Sequence, residues 1–598
     1  MSAQPARRPL PVKKLALIAA ALVCCGVGFG VAFAIRVALT PAAVAEEEHD
    51  AHAHPPAEKE EPPTTQRLNN AVRSGNYAVG VKIARELLGD GHGPEGHAES
   101  AAHGEAADHP PPADPRVRYA LALCLEGLDR HADAVEAYQK LAADAPNGVR
   151  AVAACGEVRC HLAEGDLPEA TAALVRAEGF AAGVPGLQTE LDYLRGRVAF
   201  RGVPKFQPGP FAPTEPMGRE PSLPPAAYAD WLPLPTSSGG EAHPPSPTTS
   251  ATDPTKGTLT AFGAVLAADP PHPDEPAVRL VVAGLRFRAG EVDEAAREFK
   301  RVRDSRPPEG VMVTATYNLG LVRHRAGEWA VARQLFTDAA DLGVHTPAMA
   351  AVAWWWAGRV ELDTGNLVAC QKAWERADAA DDRQTNTAAA LGRVFLKLLD
   401  GETERAEAAL HGQRIANIDP MPAVAEMFEC YFRFTHKPSD FSRDQLATAV
   451  RHAESGKPFG PAGQLLFGGW LGAAGRPAEM QKVYATASES APGIWGVRIA
   501  LAAGEGLFAA GDKAAAKSRF TAVAAADRGE YGDRGRLRLA EIALADGRAD
   551  ECVRLCRQVL ARDHEDRTTV LRLLGRGYER LNRPRAAAEC FAGRLPTQ

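Results

Sequence analysis

The chain has 598 residues, of which 45% are apolar but only 6% aromatic, and its formal net charge is −7. That length exceeds what one hydrophobic core serves, so several domains or an extended array are expected, and the weak acidity excludes general nucleic-acid binding, which needs a strongly basic face. Ten cysteines without a CxxC pair exclude a dense disulfide framework.

Residues 1–14 are a short basic tail, expected to be cytoplasmic, with Arg7, Arg8, Lys13 and Lys14. Residues 15–35, LALIAAALVCCGVGFGVAFAI, carry no charge over 21 positions. A helix of that length is roughly 31 Å long, enough to cross a bilayer core. A transmembrane signal anchor is therefore predicted over 15–39. Cleaved signal peptides have a shorter apolar stretch of about 7–15 residues, although AVA ending at Ala45 keeps cleavage as an alternative. Only Arg36 and then EEEHD follow the span. The positive-inside tendency thus holds the N-terminus in the cytoplasm and exports the remainder. An acidic linker over 40–64 contains His49, His52 and His54.

From 65 to 202, and again from 258 to 598, one tag recurs: a small residue with a bulky one four positions later. It appears as Ala134 with Tyr138, Ala170 with Leu174, Ala295 with Phe299, Ala332 with Phe336, and Cys370 with Trp374. It returns as Ala406 with Leu410, Met480 with Tyr484, Ala516 with Phe520, Cys552 with Cys556, and Ala587 with Phe591. Turn signals precede many tags, centred on Gly165, Gly290, Gly327, Gly365, Gly475, Gly511 and Gly547. The phased series predicts helical hairpins in which a small side chain on one helix admits a knob from another.

Two insertions interrupt the series. Residues 89–115 carry His92, His97, His103 and His109 among Gly, Glu and Pro. Residues 203–257 are rich in Pro, Ser, Thr and Gly, a composition that predicts a disordered excursion. That excursion separates a first helix over 187–200 from its second over 259–269, where Ala261 and Val265 restore the tag. Residues 423–434 and 442–455 read as one degenerate unit. With an incomplete first unit around 74–88, about thirteen units are expected.

The spacing of Gly320, Gly327, Trp329, Ala332 and Phe336 resembles the tetratricopeptide repeat, a helix–turn–helix unit of about 34 residues. The resemblance implies an all-α, right-handed solenoid, because a single hairpin cannot bury its own apolar stripe and must stack on neighbours. It also implies that the first helix of each repeat lines a concave, peptide-binding face. On that mapping the contact residues are Tyr317, His324 and Arg325, then Trp355 and Arg359, then Arg393 and Lys397. Aromatic and cationic anchors of this kind suit acidic segments. Of the triplet Trp354–Trp356, Trp354 falls at the family's large core position. The carboxylate-clamp variant does not match: Asn318 fits, but Leu280, Gly284, Val352 and Trp356 stand where Lys, Asn or other basic residues belong.

No GxSxG, HExxH, GxxxxGK[ST] or EF-hand motif occurs in the sequence. Cys155, Cys160 and His161 have the wrong spacing for haem attachment, since residues five apart on a helix diverge by about 140°. Cys552 and Cys556 occupy knob-and-hole positions and are expected in the core. The reading is a non-catalytic, membrane-anchored scaffold without cofactors, whose partners are proteins or peptides and not nucleic acid; its oligomeric state is left open. The alternative is an envelope protein that handles metal with its histidine tracts.

Overall fold

The computed structural model describes residues 62–89, 114–181, 184, 187–206, 220–232, 234, 253–343, 345–379, 382–411, 413, 415, 417, 421–454, 458–491, 493–562 and 566–596. The chain divides into two units, residues 1–62 and 63–598. The predicted signal anchor and all of its linker before residue 62 lie outside the described residues, as does most of the histidine-rich insertion. Among the described residues no helix is long and apolar enough to cross a membrane.

Twenty-seven helices and no strand occur among the described residues. All but one pair as antiparallel hairpins, each packed on the next. In chain order these are hairpins 1 (65–88), 2 (115–142), 3 (147–180), 4 (187–201 with 254–266), 5 (275–304), 6 (309–342) and 7 (347–378). Hairpins 8 (383–410), 9 (421–454), 10 (460–490), 11 (493–526), 12 (530–560) and 13 (567–591) complete the stack. This is the all-α solenoid class expected from the repeat count. The first unit is a whole hairpin rather than an incomplete one, because Thr65–Arg73 supplies its first helix.

Turn chemistry and packing both follow from the tags. All seven glycines singled out as turn centres have φ between 74° and 87°, a left-handed conformation that costs a residue with a Cβ. Asp129 and Asn582 take the same role in hairpins 2 and 13 at 57° and 56°, being among the side chains that tolerate it best. The paired small and bulky residues are buried in every tag except the last. There Phe591 is 47% exposed, since no described hairpin follows to cover it.

A glycine sits under several of the aromatic knobs. A Cβ on Gly320 would lie 2.8 Å from Phe336, one on Gly358 2.5 Å from Trp374, and one on Gly504 2.6 Å from Phe520. Helix backbones therefore approach as closely as an aromatic ring permits. Gly196 meets Phe262 in the same way across the long insertion, so the two halves of hairpin 4 are properly joined. The knob there is Phe262 rather than the expected Val265.

The insertion itself departs from expectation. Residues 220–232, within the tract read as disordered, contain a helix, Pro225–Trp231, with Tyr228 and Leu232 buried. Composition averaged over 203–257 hides this island of Tyr, Trp and Leu, which has enough apolar surface to dock on the hairpins.

Candidate functional site

The residues predicted to line a groove lie in hairpins 6 to 8. Tyr317 is buried against Phe336, with ring centroids 5.5 Å apart. Trp355 is fully buried and stacks on Trp374 at 4.5 Å with an interplanar angle of 11°. The Trp374 indole Nε1 donates to the Trp355 carbonyl at 3.1 Å. Neither Tyr317 nor Trp355 presents a side chain to a ligand here, which corrects the expectation for both.

For Tyr317 the cause is its own hairpin; for Trp355 it is distant in sequence. Phe459, at φ 61° just before hairpin 10, stacks on Phe395 at 4.1 Å and packs near Trp355 and Trp374. The indole Nε1 of Trp495, in hairpin 11, donates to the Leu362 carbonyl at 2.6 Å. The face of hairpins 7 and 8 is thus filled by the chain's own later hairpins. Trp354, expected in the core, instead lies half-buried with the Arg376 guanidinium 4.4 Å over its ring.

The predicted cations are engaged internally or lie apart. His324 Nε2 is 3.0 Å from Asp363 Oδ2, and Arg359 Nε donates to Asp363 Oδ1 at 3.2 Å. Burial pushes the Asp363 carboxyl upward, but Arg359 and His324 outweigh it and hold the group below the usual carboxylate range. Arg393 pairs with Asp378 at 2.7 Å. Arg325 is exposed, 5.6 Å from the Phe287 ring, and Lys397 is half-buried. The structure therefore brings His324 and Arg359 together on one carboxylate, and it does not assemble the seven residues into one open face.

A face lined by first helices is built in hairpins 1 to 4, and residues 220–232 run along it. Arg73, from Thr65–Arg73, donates twice to Asp230 at 3.0 and 2.7 Å. Tyr77 Oη accepts from the Ala226 amide at 3.2 Å, and Tyr119 Oη donates to the Leu232 carbonyl at 3.1 Å. The Arg159 guanidinium lies 3.8 Å from the Tyr228 ring centroid. In hairpin 4, Trp231 Nε1 donates to Glu190 at 3.3 Å, while Arg197 and Arg201 grip Glu220 at 3.2 and 2.7 Å.

The floor beneath is a buried polar network. Arg159 donates to both oxygens of Glu126 at 2.9 and 3.0 Å, and Tyr138 Oη donates to the same carboxylate at 2.8 Å. Burial opposes the charge on Arg159, yet Glu126 more than offsets it and holds the guanidinium protonated. His272, stacked on Tyr193 at 4.2 Å, approaches Glu190 at 3.3 Å. Burial, aided by Glu190, pushes the Tyr228 phenol well above its ordinary value. Three buried atoms of this set have no hydrogen-bond partner: Tyr228 Oη, Arg159 Nη1 and Glu190 Oε1. The arrangement suits recognition of an aromatic, acidic segment: fixed guanidinium groups, a carboxylate acceptor and phenols, all held by packed helices.

Repeat phasing missed this site because Tyr228 and Trp231 lie outside the repeats. Their signal was present in the sequence: PPAAYADWLPL places Tyr228, Trp231 and Leu232 at helical spacing inside a proline-rich tract. Cys155 and Cys160 are both buried in the core of hairpin 3, and burial pushes both thiols far upward. Cys552 and Cys556 are buried in hairpin 12. Among the described residues no group of three metal-ligating side chains converges.

A family model described as tetratricopeptide repeat matches residues 66–149, 259–310 and 285–343. Over those stretches the chain is similar to the tetratricopeptide repeat family. The matched stretches cover hairpins 1, 2, 5 and 6 and the second helix of hairpin 4, and hairpins 3, 7, 8, 10, 11 and 12 share the glycine turn. No curated protein matches the sequence. Among solved structures, the fold is similar to one titled "Crystal structure of APC/C hetero-tetramer Cut9-Hcn1", at 12% identity and a TM-score of 0.39, covering 85% of this chain and 95% of that one. It is also similar to yeast Tom70, at 12% identity and a TM-score of 0.28, covering 88% and 97%. A tetratricopeptide repeat protein from Parabacteroides merdae matches at 12% identity and a TM-score of 0.22, covering 48% and 91%. Likenesses of that size carry no functional argument.

Proposed function

We propose that this protein is a non-catalytic scaffold that binds segments of other proteins along the face lined by the first helices of its tetratricopeptide hairpins. The observation that carries this reading is the docking of residues 220–232 across hairpins 1 to 4. Arginine, phenol and carboxylate groups there already grip a short segment by its side chains and its backbone. In this reading residues 15–39 anchor the protein in a membrane, with the hairpins on the extracytoplasmic side; the uncharged run of 21 residues and the flanking charges support it.

Site-specific photo-crosslinking in cells tests the binding face. A photoreactive side chain in place of Arg73 or Arg325, on first helices, should give discrete protein adducts. The same group in place of Lys140 or Arg297, on second helices, should give none. Equal labelling from both sets would remove the assignment. Deleting residues 15–39 should move the chain out of the membrane fraction, and retention there would rule out the anchor.

A further inference from the structure

We propose that residues 220–232 act as a resident ligand, and that the external partner of hairpins 1 to 4 is a protein segment of the same chemistry. That chemistry is an acidic residue ahead of one helical turn carrying Tyr, Asp, Trp and Leu in the order of Tyr228, Asp230, Trp231 and Leu232. This inference rests on the function proposed above and names its ligand class.

The segment is not needed to join the two helices of hairpin 4. Leu187–Arg201 packs directly on Pro254–Leu266, with Gly196 beneath Phe262, as in hairpins that have no insertion. What lies on the face is therefore additional to hairpin 4. It is held as a bound peptide is held, with Tyr228, Trp231 and Leu232 at i, i+3 and i+4 turned to the hairpins. Its backbone is satisfied by host phenols, Ala226 by Tyr77 and Leu232 by Tyr119. The charges are complementary: Arg73 faces Asp230, and Arg197 and Arg201 face Glu220.

The fit is not perfect, because Tyr228 Oη is buried without a hydrogen-bond partner and Glu190 Oε1 reaches Arg159 Nη1 only at 4.0 Å. A tethered segment is present at an effective concentration of about millimolar, so it masks the face from weaker external segments. An external ligand meets a site whose free fraction is small, and its apparent affinity falls by that fraction.

The test uses the full-length chain and a fluorescent peptide, GREPSLPPAAYADWLPL, corresponding to residues 218–234. Anisotropy titrations compare wild type with a Tyr228→Ala/Trp231→Ala variant, whose own segment has lost its anchors. The variant should bind the peptide at least about ten-fold more tightly than wild type, and a peptide with the same two alanines should bind neither. Because the double variant removes buried rings, a Glu220→Arg/Asp230→Arg variant, which changes only the ion pairs, provides a second release and the same expectation. Circular dichroism checks that both retain wild-type helicity.

Absence of peptide binding to both released variants overturns the inference, as does equal binding to wild type. Release accompanied by dimerisation in sedimentation, with no peptide binding, makes the occupant a second copy of this chain and also overturns it. Crosslinked adducts at the Arg73 position that do not change on release would sink the ligand class while leaving the scaffold reading standing. Loss of adducts at every first-helix position would remove that reading instead.

Discussion

Gly358 and Gly263 are both helical glycines with opposite roles. A Cβ on Gly358 meets Trp374, whereas a Cβ on Gly263 meets nothing within 4 Å. Gly358→Ala should therefore destabilise hairpin 7 by about 1–3 kcal/mol through overpacking. Gly263→Ala should stabilise hairpin 4 by up to about 1 kcal/mol through helix propensity. Thermal melts of the two variants should move in opposite directions, and a shared direction would refute the packing account. Tyr228 offers a second contrast. Its ring lies on Arg159 while its hydroxyl is buried and unpartnered, so Tyr228→Phe should leave the melting midpoint unchanged or raise it. A clear fall would show that the hydroxyl has a partner after all. The glycine role was legible in the sequence, because Gly320 and Phe336 keep a fixed offset of sixteen that recurs from Gly358 to Trp374. The fate of the Trp triplet was not. Consecutive helical residues fan out by about 100° each, and two rings went inward on different partners: Trp356 against Phe336 and His324, Trp355 against Trp374 and against Phe459, a hundred residues downstream.

The start of hairpin 10 and hairpin 7 meet at the scale of whole elements, and Asp363 lies at their contact. It accepts from Arg359 and faces His324, while Gly460 lies so close to the Arg359 guanidinium that a Cβ there would clash with it. Asp363→Asn leaves Arg359 buried beside a neutral amide and should cost about 3 kcal/mol at neutral pH. Because the folded carboxyl is held below its unfolded value of about 3.9, its contribution is fully present above pH 4. It is lost as the pH falls through the lower folded value. The stability gap between wild type and Asp363→Asn should thus close on acidification below pH 4 in denaturant melts; a gap that persists would mean the carboxylate is not the stabilising form. Helix existence and pairing were readable at this scale, including the hairpin formed from 421–436 and 440–454, because each depends on local periodicity and a short turn, glycine-centred in most hairpins but Lys437–Pro438–Ser439 in this one. The helix Pro225–Trp231 was not, because its stability comes from hairpins 1 to 4 and its own residues are drowned in proline.

Across the stacked unit, stability is a sum of hairpin and neighbour terms, so it need not be uniform. The buried apolar clusters show where it changes. One cluster runs from Leu68 to Leu285 and a larger one from Leu280 to Ala503, meeting in hairpin 5. Beyond them come a small cluster of Leu501, Ala516, Phe520, Val523 and Ile542, then a separate one from Ala540 to Cys590. The large cluster is reinforced by contacts outside the nearest-neighbour series, Phe459 on Phe395 and Trp495 on Leu362. Hairpins 12 and 13 have no such tie among the described residues, and Phe591 leaves the last one partly uncovered. A chain whose apolar contacts thin out in this way opens locally before it unfolds globally. Native-state hydrogen exchange should therefore show amides of Ala549–Leu560 and Arg567–Arg580 exchanging through a cheaper opening than those of Pro347–Asp363 and Arg383–Leu399. Low denaturant should widen the difference by exposing hairpins 12 and 13 as one cooperative piece. A single opening free energy for all four helices would mean that the small cluster around Phe520 couples the end of the stack to its middle as strongly as the middle is coupled to itself.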